Sequence, residues 1–94
     1  MKVPLPSPGR RFRQARKGLG LTLRDVARNS AAIAREEGNS RFRLSATNLH
    51  WIETKGQAPS LHHLYSLARI YRSDFSHVLK WYLGANPGAS DSRQ

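Results

Sequence analysis

Apolar residues return every three or four positions along most of this chain, and the spacing predicts five helices. Ser7 and Pro8 open the first, as N-cap and first-turn proline, and it runs to about Lys17. Phe12, Ala15 and Leu19 form its inner side, and Gly18 and Gly20 mark its end. Thr22 opens the second helix, with Asp25 three residues on completing a capping box. Leu23, Val26, Ala27, Ile33 and Ala34 make its inner stripe, which holds to about Glu37, before Gly38 and Asn39. Glu36 and Glu37 oppose the helix dipole at that end, so the last turn is expected to fray. A basic loop, 38–44, follows, with Phe42 expected on the core and Arg41 and Arg43 pointing outward.

Ser45 caps a short third helix and Gly56 stops it. Ser60 caps a fourth, from Leu61 to about Arg72, with Leu61, Leu64, Leu67, Ala68 and Tyr71 inward. Ser73 caps a fifth, whose inner residues are Phe75, Val78, Leu79 and Tyr82, and Gly84 ends it. Trp81 falls off that inner face, where it would mark a dimer contact, the docking site of a further domain, or a ring half-buried against the tail. No segment alternates as a strand does. The expected fold is all-α, a compact five-helix domain over 7–84, with a proline-rich flexible arm (1–6) and a small-residue, polar tail (85–94).

The third helix has two chemically different sides. Leu49, Ile52 and Glu53 share one; Thr47, Asn48, Trp51, Thr54 and Lys55 share the other, with His50 at its edge. The second side offers hydrogen-bonding groups, a flat aromatic and a cation, but no carboxylate. Such a face suits a polyanion with readable edges. Glu53 points inward and needs a partner. Charge enlarges this picture: sixteen Lys and Arg against six Asp and Glu give the 94-residue chain a net +10. That excess implies nucleic acid or an anionic surface as partner. No run of about 20 apolar residues is present for a membrane span. With no cysteine there is no disulfide framework or thiolate metal site, which suits a cytoplasmic protein. The four histidines have no metal-ligand spacing and no phosphate-cradling glycine loop occurs, so neither metal, cofactor nor enzymatic activity is expected.

The ordered set of signals resembles the lambda-repressor-like helix-turn-helix domain of the Xre family. It is carried by Arg16, Leu19, Gly20, Leu21, Thr22, Asp25, Val26 and Ala27, then by Leu44, Ser45, Leu49, Ile52, Glu53, Gly56, Pro59, Ser60 and Leu61, with Leu64, Ala68 and Leu79 beyond. The resemblance implies sequence-specific binding of double-stranded DNA by a transcriptional regulator, commonly as a dimer, with the helix at 45–55 in the major groove. It implies base contacts from Ala46, Thr47, Asn48, His50 and Trp51. Asn48 carries the amide suited to adenine, and Trp51 would meet a thymine methyl or sugar. Phosphate contacts are implied for Thr22, Leu23, Arg24, Lys55 and Gly56, and the basic residues Arg41 and Arg43 join them by charge; Arg10, Arg11 and Arg13 form an additional basic arm. Arg16 and Glu53 match positions that pair in some members.

Two departures stand out. Leu23 occupies a place where many members carry glutamine. Eighteen positions separate Ala27 from Ser45, far more than the family's tight turn, so 29–43 must form a longer second helix plus an excursion. Trp51 has an alternative place, packed beneath that segment with Phe42 instead of on a base. If the segment lay across Thr47, Asn48 and Trp51, DNA readout would be obstructed, which would favour the alternative function, a protein-interaction module of antitoxin or adaptor type on the same fold.

Overall fold

A computed structural model describes residues 8–83. Its elements are α1 (Pro8–Gly18), α2 (Leu23–Glu37), a 3₁₀ turn (Ser40–Phe42), α3 (Ala46–Lys55), α4 (Leu61–Ile70) and α5 (Phe75–Leu83), so the described part is all-helical. Ser7, Gly84, the arm and the tail lie outside the described residues.

Local chemistry sets the helix boundaries. The capping box of α2 is formed in both directions: Thr22 Oγ1 accepts from the Asp25 N–H at 3.0 Å, and Asp25 Oδ2 accepts from the Thr22 N–H at 2.9 Å. These bonds hold the Asp25 carboxyl below its usual range. Ser45 and Ser60 cap α3 and α4 through the Asn48 and His63 N–H groups. Three helices end in the same paired closure, a Schellman turn. At α1 the Leu21 N–H returns to Arg16 O and the Gly20 N–H to Lys17 O; at α2 Asn39 returns to Ala34 and Gly38 to Arg35; at α4 Ser73 returns to Ala68 and Arg72 to Arg69. The last places Arg72 in the left-handed region, φ 57°, which ends α4 at Ile70, two residues before the expected boundary. Asp74, not Ser73, holds the capping position of α5: its carbonyl accepts from Val78, whereas the Ser73 hydroxyl turns back to Tyr71 O.

The core takes one or more residues from every helix: Phe12, Val26, Leu49, Ile52, Leu64, Leu67, Ala68 and Val78, with Leu44 and Tyr71 from the connections. The expected inner faces hold except at their ends. Leu19 is 47% exposed because α1 stops at Gly18 and the turn carries Leu19 away, leaving Leu21 to pack inward. Leu61 and Phe75, each the first residue of its helix, are also exposed. Trp81, by contrast, packs edge-on against Phe12 with ring centroids 5.8 Å apart, so it joins α5 to α1 instead of standing free.

The 29–43 segment continues α2 to Glu37, turns at Gly38 and lies back on α4. Its last turn is fastened: Arg69 donates to both oxygens of Glu36 at 3.2 and 3.3 Å, and the Tyr65 hydroxyl donates to Glu37. Arg69 sets an opposite charge beside Glu36, and α2 keeps its helical geometry through Glu37. Phe42 packs edge-on against His62 and Tyr65, forming a satellite cluster on α4 outside the main core.

The start of α1 reaches the end of α3 at Gly9, where a Cβ would collide with the carbonyl oxygens of Ile52 and Glu53. Backbone cannot give way as a flexible side chain can. Gly9→Ala should therefore lower stability by about 1–3 kcal/mol, as overpacking does. A Cβ at exposed, helical Gly18 meets nothing, and Gly18→Ala should raise stability by about 0.5–1 kcal/mol. Urea unfolding of the two variants checks the contrast.

Candidate nucleic-acid interface

The candidate face is built on α3, and its position is set from beneath. Glu53 is 7% exposed and Arg16 is 8% exposed. Arg16 Nε donates to Glu53 Oε2 at 2.7 Å and Nη2 to Oε1 at 2.8 Å, a bidentate pair. Arg16 Nη1 also donates to Leu21 O at 2.9 Å, so one guanidinium links α1, α3 and the turn into α2. The Glu53 bond raises the Arg16 pKa above its already high ordinary value. Above the pair lies Tyr71, whose buried hydroxyl has no partner among the described residues. Burial first, and the Glu53 charge second, push that phenol well above its ordinary range, so it stays neutral.

The entry to α3 is held by backbone contacts from three side chains. The buried Ser30 hydroxyl accepts from the Leu44 N–H at 2.8 Å and lies 3.1 Å from Leu44 O. Ser66 Oγ donates to Phe42 O at 2.7 Å, and His63 Nε2 donates to Arg43 O at 3.0 Å. Burial lowers the His63 pKa, favouring its neutral form. These contacts fix the three residues before Ser45, and so the direction in which α3 leaves.

With α3 fixed at both ends, its outer side carries exposed Thr47, His50, Trp51, Thr54 and Lys55, and half-buried Ala46 and Asn48. Trp51 is 39% exposed. Its ring has two close neighbours: the His50 ring at 5.3 Å between centroids and Lys55 Nζ at 5.8 Å. A cation over an indole face is attracted by the ring quadrupole, which holds the ring without covering it. Thr54 Oγ1 donates to His50 O and is spent inside the helix.

The residues expected near phosphates divide. Arg24, Arg41, Arg43 and Lys55 are exposed. Gly56 is a cap instead of a donor: its N–H goes to Trp51 O, with φ 68°. The Thr22 N–H is likewise taken by Asp25 and its hydroxyl oxygen by the Asp25 N–H, leaving the hydroxyl proton and the free first-turn N–H groups of Leu23 and Arg24. Between the end of α1 and the start of α2 lies an open basin lined by Arg13, Lys17, Thr22 and Arg24. Lys17 was not among the expected contact residues, though its position four after Arg13 on one helix was available in the sequence. Gly9 and Ser30 were missed for lack of any local signal.

Among the described residues, no group of three or more His, Asp or Glu side chains is placed to hold a metal ion. Among them also, no helix is long and apolar enough to cross a membrane. Comparison with protein-family models, with curated proteins and with solved structures finds no match.

Glu53→Gln leaves the Arg16 charge buried without its counter-charge and should cost about 3–5 kcal/mol. Tyr71→Phe removes only an unpaired hydroxyl and should be neutral or stabilising by up to about 1 kcal/mol. Thermal melts at neutral pH measure both, and a Tyr71→Phe loss as large as that of Glu53→Gln would contradict this assignment of the pair.

Proposed function

We propose that this chain is a sequence-specific, double-stranded-DNA-binding domain of the lambda-repressor-like helix-turn-helix type, serving a cytoplasmic transcriptional regulator of the Xre kind. In this reading α3 lies in the major groove and Thr47, Asn48 and Trp51 approach base edges, with Ala46 and His50 beside them. The hydroxyl of Thr22 and the N–H groups of Leu23 and Arg24 meet a phosphate at the start of α2. Arg41, Arg43 and Lys55 supply further phosphate contacts, and Arg13 and Lys17 extend the cationic surface across the end of α1. A two-fold dimer would engage half-sites about one helical turn apart. No resident cofactor or catalytic group is invoked.

The observation that carries this reading is the pairing of an exposed, acid-free α3 face with a buried Glu53. An exposed tryptophan on a face without a carboxylate favours a contact over an ordinary solvated surface. The path of 29–43 also supports it. The alternative, a protein-interaction module, is favoured where that segment lies over Thr47, Asn48 and Trp51. Between Glu36 and Arg43 its long-range polar and aromatic contacts go to α4 instead.

Selection from a random duplex library, followed by binding at two salt concentrations, tests the proposal. A short enriched motif is expected. If about five phosphates are neutralised, log K should fall with log salt at a slope of about −4 to −5. Trp51→Ala should weaken the enriched duplex more than an unrelated one. Affinity indifferent to both sequence and salt would overturn the proposal.

A further inference from the structure

The Ser45 hydroxyl does two things at once. Its oxygen accepts the Asn48 N–H at 3.0 Å, the ordinary bond of a helix cap. Its proton then goes to Asn48 Oδ1, at 2.7 Å. An N-cap serine has only this one proton to give, and here it goes to the amide oxygen of Asn48. The amide oxygen is turned toward the cap. The amide nitrogen, with two N–H donors, is the end left over, and it makes no hydrogen bond among the described residues. Asn48 stands on the outer side of α3, one turn before Ile52 and next to exposed Thr47 and Trp51.

From this we propose that Ser45 is a specificity-positioning residue, orienting Asn48 to donate to a major-groove acceptor: a purine N7, guanine O6 or thymine O4. The inference rests on the DNA-binding reading above and narrows what that surface recognises. It also departs from the adenine pairing expected from the residue type alone. Side-on recognition of adenine uses an outward amide oxygen to accept from the N6 amine together with the amide N–H. With Oδ1 held by Ser45, the donor end leads.

The test begins from the enriched duplex. Single major-groove groups are removed in turn: purine N7, guanine O6, thymine O4, the adenine N6 amine and the cytosine N4 amine. Each duplex is titrated with the wild-type chain and with Asn48→Ala. Loss of one acceptor should weaken wild-type binding about tenfold, the size of one good base contact, and leave Asn48→Ala unaffected. Two cap variants separate positioning from capping. Ser45→Thr keeps both bonds and should keep the same dependence. Ser45→Asp still caps but has no proton to donate, so the Asn48 amide should turn round. The Asn48-dependent loss should then move to removal of an amine, and thermal melts should show the fold retained. Dependence of the wild type on an amine, on no group, or on the same acceptor in Ser45→Asp would overturn the proposal while leaving DNA recognition standing. If no motif is enriched at all, the DNA-binding reading falls, and this inference with it.

Discussion

The bidentate bond between Arg16 and Glu53 is the constraint on which the arrangement of this protein depends. Its partners lie 37 positions apart, on α1 and α3, and both are buried. Two charges withdrawn from water are tolerated only when each satisfies the other with good geometry. That requirement specifies the register of α1 against α3. It also decides the chemistry of the outer surface. By taking the one acid of α3 inside, the pair leaves a helix face with no carboxylate to repel a polyanion. Gly9 serves the same contact from its other end, letting the α1 backbone approach Ile52 and Glu53 more closely than any side chain would allow.

A long connection could be expected to undo this order, since α3 follows α2 only after a wide excursion. The chain answers with contacts to backbone. Ser30, Ser66 and His63 engage consecutive residues from Phe42 to Leu44, and Arg69 and Tyr65 tie down the two glutamates at the end of α2. The excursion becomes a docked element against α4. Residues close in sequence, Ser30 and Glu37 among them, thus serve different ends: one aims α3, the other clears the space around it.

How far the sequence foretold the structure follows from the range of each signal. Caps and inward stripes are local, and Thr22, Ser45, Ser60, Leu49 and Ile52 were legible from spacing. Glu53 was legible because an acid on an apolar face demands a partner. Helix ends were less so: Leu19, Leu61 and Phe75 continue a stripe on paper, but stand where the helix has stopped or has just begun. The role of Trp81 depends on Phe12, nearly the whole chain away. Ser30 looks like any small polar residue until Leu44 is brought beside it. The direction of the Asn48 amide, similarly, is a property of its bond to Ser45 and not of asparagine as a type.

On the proposed function, the α3 face, with Trp51 at its middle, is the surface that meets DNA. The chain has two tryptophans, so Trp81→Phe leaves Trp51 as the single indole reporter, while a ring remains against Phe12. Tryptophan fluorescence of that variant should change on titration with the enriched duplex. The change should reverse with added salt, along the same curve as binding measured by anisotropy of labelled DNA. Tight binding by anisotropy with unaltered Trp51 emission would contradict the account.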